Sequence, residues 1–228
     1  MLIPLSKVLN FDPRAVPAMM PEFRLPAVSA VKLSPAALRQ RFLRSAVWQP
    51  EVVMEPSLLD QVPVAASVLV PIILREQLTV LLTLRTQHMS SHSGQIAFPG
   101  GKQDADDEDL LATAIREAYE EVGLPPQFVQ VLGTLPVYVT GTGFAITPVV
   151  ALIAEGFSVV RNVHEVDEVF EVPLEFLMNP ANHRQHELEL DGKRREWLSM
   201  PYHDGQTERF IWGATAGMLR NLYRFLSA

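Results

Sequence analysis

The pattern of apolar and polar positions changes character near Ala65. From there the runs "AASVLVPII" and "LTVLLTL" are short, β-branched and leucine-rich, with the polar "LREQ" between them, which predicts a hairpin at the start of a core domain. Leu111, Ala114, Ile115, Ala118 and Val122 then recur at three- and four-residue spacing, the buried stripe of a helix over about 107–122. Two more apolar runs, "FVQVLGTLPVYV" and "FAITPVVALI", joined by "TGTG", read as strands. A turn-rich stretch follows, then a short helix near "PLEFLM", weaker strands around "HELEL" and "REWLSM", and a final helix from about Trp212 to Leu226. Strands and helices interleave without a regular βαβ repeat, so the expected fold is α/β, a mixed sheet with helices on its faces.

Residues 1 to about 60 have a different texture. Pro4, Pro13, Pro17, Pro21, Pro26 and Pro35 interrupt them, and "SPAALRQRFLRSA" is their one helix candidate, with Ser34 as N-cap and Pro35 in the first helical position. This N-terminal extension carries no chemical constellation. It is expected to be accessory, packed on the main domain (61–228) or on a second subunit as in a homodimer.

Composition narrows the function class. With 228 residues and 48% hydrophobic content the chain can bury a sizeable core. Nineteen Lys and Arg against 26 Asp and Glu, a net charge of −7, make nucleic acid a poor partner. The absence of cysteine excludes disulfides, thiolate metal sites and a cysteine nucleophile. No basic-then-apolar leader and no apolar run of roughly 18 residues is present, so no membrane partner is expected and the chain reads as soluble and cytoplasmic.

The chemistry concentrates in "FPGGKQDADDEDLLATAIREAYEEVGL". Asp106 or Asp107 is expected to cap the helix, acids to fill its first turn, and Gly123 with Pro125 to end it. At about 100° per residue, Glu117, Glu120 and Glu121 share an arc away from the apolar stripe. Carboxylates that close repel by about 3 kcal/mol at 5 Å and an effective dielectric near 20, and Arg116 offsets only part of this. A hard divalent cation, Mg²⁺ or Mn²⁺, removes the penalty. The bland alternative is a solvated face with an Arg116–Glu120 ion pair worth little; the ordered context of Gly-Gly, acidic entry, Arg-Glu, Glu-Glu and Gly-Leu favours the cation cradle.

That order resembles the Nudix box, Gly-x5-Glu-x7-Arg-Glu-U-x-Glu-Glu-x-Gly-U, of Nudix hydrolases. Arg116, Glu117, Glu120, Glu121, Gly123 and Leu124 match, Ala118 is a small U, and the Gly101–Arg116 spacing is one residue longer, so the early acid is Glu108 counted back and Asp107 counted forward. Upstream, "LLTLRTQHMSSHSGQIAFPGG" is similar to an element of the coenzyme A pyrophosphatase branch, with Thr86 and Ser90 as departures, the latter where an arginine is expected; "FIWGATAGML" is similar to that branch's ending.

The resemblance implies an α/β/α sandwich around a mixed sheet and hydrolysis of the diphosphate of coenzyme A or an acyl derivative. A small nucleoside diphosphate derivative of another kind, such as ADP-ribose or a dinucleotide, and a non-catalytic ligand-sensing module are the alternatives. It implies Glu117, Glu120, Glu121 and a main-chain carbonyl at Gly101 as metal ligands, Arg116, Glu120 and Glu165 as catalytic residues, and Arg85, Phe98 and Gly100 as substrate-binding residues. Arg85 reads nearly as well as an ion-pair partner of the acidic helix, and Glu165, chosen over Glu168 and Glu171 by its position before "VDEVFEVPL", is weighed against an exposed acidic turn. His183 and His186 read as surface histidines, "GTG" at 141–143 as a turn, and "WGATAG" at 212–217 as close packing.

Overall fold

The computed structural model describes residues 12–19, 25–44, 47–55, 62–87, 94–190, 193–205 and 207–228. In chain order these form β1 (Ala18–Met19), α1 (Pro35–Leu43), β2 (Val64–Ile73), β3 (Thr79–Arg85), β4 (Ile96–Ala97), β5 (Gly100–Lys102) and α2 (Leu110–Val122). They continue with β6 (Val129–Thr134), β7 (Tyr138–Val139), β8 (Phe144–Ile153), β9 (Val166–Pro173), α3 (Leu174–Leu177), β10 (Arg184–Leu190), β11 (Lys193–Asp204), β12 (Thr207–Trp212) and α4 (Gly213–Ser227).

β2 and β8 form the spine of a mixed eight-stranded sheet, paired in parallel from Val64↔Phe144 to Ile73↔Ile153. β3, β4 and β9 extend it on the β2 side, and β6 and β7 on the β8 side. Both faces are covered, which is why these strands read as continuous apolar runs. Alternate residues part company: Leu69, Ile73, Leu81, Val149, Ala151 and Ile153 pack against Ala114, Ala118 and Val122 of α2. Val70, Ile72, Val80, Leu82, Val150 and Leu152 point the other way, into a larger core with Leu219 and Leu222 of α4 and Leu38 of α1. β1, β10, β11 and β12 form a separate antiparallel four-stranded sheet. The mixed α/β class is as expected; the second sheet, and β12 within it, are not in the sequence reading.

The helix expectations are met in part. Ser34 caps α1, accepting from Ala37 N–H at 3.3 Å. Gly217 does serve close packing, since a Cβ there would lie 2.7 Å from the Tyr138 ring. In α2, Leu111 is exposed and Ile115 only partly buried, so the buried apolar stripe is narrower than expected, with Ala114, Ala118 and Val122, and the helix begins only at Leu110. The cap is Asp109, which accepts from Ala112 N–H at 2.8 Å, and neither Asp106 nor Asp107; the acids precede the helix and do not fill its first turn. Asp107 is held elsewhere by Arg116.

The extension's described segments pack on α4 and on the β7–β8 region. Arg41 donates to Phe225 O, Tyr223 Oη to Pro26 O at 2.8 Å, and Arg220 pairs with Glu51 at 2.9 Å.

Candidate functional site

Two close approaches place the acidic helix. β5 pairs with β2 so tightly that a Cβ on Gly100 would lie 2.4 Å from Ser67 O, and one on Gly101 would lie 2.3 Å from Glu117 Oε1. The glycines therefore bring main chain directly against the carboxylate of Glu117. At the far end, Gly123 adopts φ 68° and its N–H returns to Tyr119 O at 2.9 Å, ending α2 immediately after Glu120 and Glu121.

Arg116 is the hub. Its Nε and Nη2 grip Asp107 at 2.8 and 2.9 Å, Nη1 donates to Glu117 at 2.9 Å and Glu120 at 3.0 Å, and Nη2 also reaches Lys102 O at 3.2 Å. Of the two acids that the spacing offered, Asp107 meets Arg116 and is also held by Asp104 N–H and Thr113 Oγ1, while Glu108 is exposed. The guanidinium holds the Asp107 carboxyl well below the usual carboxylate range, and Asp107 in turn raises Arg116.

Glu121 is the buried member, its side chain 2% exposed, and Arg85 meets it at 3.3 Å. The register of β3 against β9 shifts between Leu84 and Arg85, a bulge of the kind that re-aims a side chain. Burial pushes Glu121 up to about 7 against the pull of Arg85, with repulsion from Glu117 and Glu165 adding to the rise. Glu117 is raised chiefly by burial as well. Glu120 is half-exposed.

Glu165 accepts from Asn162 Nδ2 at 3.1 Å and stands close enough to Glu117 and Glu121 to raise both. Glu168 is instead paired with Arg209 at 2.5 Å and Glu171 with Arg75 at 2.7 Å. Of the three downstream acids, only Glu165 belongs to the cluster.

The donor set suits a hard divalent cation. All its donors are oxygens, and Glu121 Oε2 is buried without a hydrogen-bond partner. Among the described residues no three His, Cys, Asp or Glu side chains close on one centre. Arg116 draws Glu117 and Glu120 while Arg85 draws Glu121, so arginines supply the counter-charge in this arrangement.

Beside the cluster lies a cavity of about 330 Å³. Arg85, Phe98 and Gly100–Lys102 form one wall, while Arg195, Trp197 and Trp212 of the four-stranded sheet form another. Glu55 of the extension lines it too, accepting from Tyr138 Oη at 2.9 Å and from Gly141 N–H at 2.8 Å. Sequence reasoning missed all four of Glu55, Arg195, Trp197 and Trp212. The available signal was an arginine in phase with Trp197 and Ser199 along β11. Ser90 lies outside the described residues.

The two histidines are buried, which corrects the surface reading. His183 contacts Leu177 O at 2.7 Å and Arg220 Nη1 at 3.0 Å; His186 contacts Val16 O at 2.9 Å and Ser199 Oγ at 2.8 Å. Their polar needs are met within the protein, so they can sit in its interior.

Comparison with known proteins identifies the family. A protein-family model described as NUDIX domain matches residues 63–204. An uncharacterized Nudix hydrolase NudL of Enterobacter sp. (strain 638) is 42% identical over 158 residues, covering 69% of this chain and 80% of the relative. One of the same description from Yersinia pestis (strain Pestoides F) is 40% identical over 163 residues, covering 71% and 79%. Among solved structures, the MutT protein of Methanosarcina mazei Go1 overlays with a TM-score of 0.42 at 22% identity, over 54% of this chain and 88% of that one. The chain belongs to the Nudix hydrolase family.

Proposed function

We propose that the protein hydrolyses the diphosphate linkage of coenzyme A or an acyl-coenzyme A, giving 3′,5′-ADP and 4′-phosphopantetheine or its acyl derivative, in the cytoplasm. The observation that carries the reading is that Arg85 and Gly100–Lys102, which touch the acidic cluster, are also a wall of the cavity. A diphosphate lying along that wall sits against the carboxylates. The remaining walls, with Phe144, Ile146 and Met218 beside two tryptophans, offer apolar and aromatic surface to a base and a long uncharged arm. The upstream motif similar to the coenzyme A branch supports the same choice.

Glu117, Glu120 and Glu121, with the Gly101 carbonyl, would hold Mg²⁺ or Mn²⁺. When bound, such an ion neutralises the diphosphate and lowers the pKa of a water for attack at phosphorus. Arg116 fixes the directions of Glu117 and Glu120. Glu165, its Oε1 held by Asn162, receives the proton of the attacking water at its other oxygen. Arg85 offers its guanidinium to a substrate phosphate without leaving Glu121. Phe98 and Gly100 shape the floor under the linkage.

The test is product chromatography after incubation with Mg²⁺ or Mn²⁺ and a panel of coenzyme A, ADP-ribose, dinucleotide and sugar-nucleotide substrates. Fastest release of 3′,5′-ADP from coenzyme A is expected. A preference for ADP-ribose or a dinucleotide would replace the substrate, and no turnover of any would replace the enzyme by a ligand-sensing module.

A further inference from the structure

The cavity wall opposite the acidic helix holds a cation, Arg195, that meets no carboxylate among the described residues. Arg195 is 7% exposed, lines the cavity, and has its Nε buried without a hydrogen-bond partner. Among the described residues no carboxylate lies within ion-pair distance of it. The other charged groups on the cavity are engaged or solvated: Arg85 pairs with Glu121, Glu196 with Arg194, and Glu55 is bonded to Tyr138 and Gly141. Lys102 is exposed, with its Nζ 5.7 Å from the centre of the Phe144 ring.

Burying an arginine without a counter-charge is costly, because hydration is lost, and at Nε no hydrogen bond takes its place. The strand could avoid the cost with an apolar residue, since Trp197 and Ser199 on the same face of β11 are buried. Retaining the guanidinium makes physical sense where a bound molecule brings the missing anion. Its planar fork suits the oxygens of a phosphate monoester, and Trp197 and Trp212 beside it provide flat apolar surface.

We propose that Arg195 receives a terminal phosphate of the substrate, distinct from the scissile diphosphate. This rests on the nucleotide-hydrolase reading of the site and narrows it to nucleoside diphosphate derivatives that carry a third phosphate. In coenzyme A that group is the 3′-phosphate; dephospho-coenzyme A lacks it.

The experiment compares the full-length wild type, Arg195→Gln and Arg195→Lys. Inorganic phosphate is titrated into each protein in chelator, with tryptophan fluorescence as the readout, and steady-state kinetics are measured on coenzyme A and dephospho-coenzyme A. Arg195→Gln is expected to lose the saturable response to phosphate and to raise KM for coenzyme A by roughly ten- to a hundredfold. KM for dephospho-coenzyme A and kcat on both substrates should change little, and Arg195→Lys should recover part of the preference. The melting temperature of Arg195→Gln should equal or exceed that of the wild type, since an uncompensated buried charge is removed. Equal phosphate binding by wild type and Arg195→Gln, an equal KM change on the two substrates, or a clearly lower melting temperature would overturn the assignment. Phosphate binding that depends on Arg195 without turnover of coenzyme A would leave it standing and overturn the substrate proposed above.

Discussion

The guanidinium of Arg85 and the carboxylate of Glu121 meet at 3.3 Å, with the arginine side chain 17% and the glutamate 2% exposed. The pair is incomplete. Arg85 Nε and Glu121 Oε2 both remain buried and without partners, so the pocket holds more polar capacity than the pair can satisfy. A cation bound at Glu121 and a phosphate bound at Arg85 would each use what is left over.

Arg85→Ala should therefore destabilise the protein in chelator by about 1–3 kcal/mol, the cost of leaving a buried carboxylate alone. Added Mg²⁺ should recover much of that loss by supplying the counter-charge. Urea unfolding with and without the ion measures both quantities. Unchanged stability in chelator would mean that Arg85 serves only substrate.

Gly100→Ala and Gly101→Ala should fail differently. At Gly100 the new methyl meets main chain, Ser67 O at 2.4 Å and Val68 Cα at 2.7 Å, so β5 must leave β2 and the melting temperature should fall. At Gly101 the three nearest atoms all belong to the carboxylate of Glu117, the first at 2.3 Å, and a side chain can swing away. Gly101→Ala should fold and melt nearly as the wild type while its Mg²⁺ requirement for hydrolysis rises at least about tenfold, a change of about 1.4 kcal/mol in binding. Equal effects of the two substitutions on stability would contradict this division.

Much of this was legible because the spine strands and α2 are patterned by one local rule each. β2 and β8 are apolar at every position but Ser67 and Thr147 because both faces are covered, and Ala114, Ala118 and Val122 repeat with the helical period. What escaped depends on contacts distant in sequence. Any of Asp106, Asp107 or Asp109 is a chemically sound cap, and the choice is made by Arg116 gripping Asp107. His186 is buried because Val16, 170 positions away, supplies a carbonyl. The apolar alternation of β11 is weak because Arg195 and Ser199 share its buried phase with Trp197.

His183 gives a pH dependence whose sign follows from burial. Desolvation, reinforced by Arg220, lowers its pKa to about 4 from an ordinary 6.5. Between those values the unfolded chain takes up a proton that the folded protein refuses, so this contribution is intact above the ordinary pKa and is lost as pH falls through the window. The loss is about 3 kcal/mol at 1.36 kcal/mol per pKa unit. Glu121, raised to about 7, acts with the opposite sign in chelator but is common to wild type and variant. His183→Gln should be less stable than wild type at pH 7.5, and the gap should narrow by pH 4.5. A constant gap in urea unfolding would refute the buried neutral imidazole.

Glu55 ties the extension to the cavity. Its loss leaves the Tyr138 hydroxyl and the Gly141 N–H without their acceptor, at a cost of about 1–3 kcal/mol. Glu55→Ala should raise KM several-fold with a smaller change in kcat, because Gly141 lines the cavity and the acidic cluster lies elsewhere. A fall in kcat at constant KM would place Glu55 in the chemistry instead.

The central claim is that the acidic face of α2 holds a divalent cation for diphosphate hydrolysis. Its most direct test is the rate of coenzyme A hydrolysis, by release of 3′,5′-ADP, against Mg²⁺ concentration for wild type and Glu121→Gln, with the melting temperature followed in the same titration. The wild type should be inactive in excess chelator, activated by Mg²⁺ and stabilised by it, whereas Glu121→Gln should fold, lose at least about a thousandfold in rate, equivalent to about 4 kcal/mol in the barrier, and show no Mg²⁺-dependent rise in melting temperature. Hydrolysis by the wild type in chelator, or a Glu121→Gln protein that responds to Mg²⁺ as the wild type does, would contradict it.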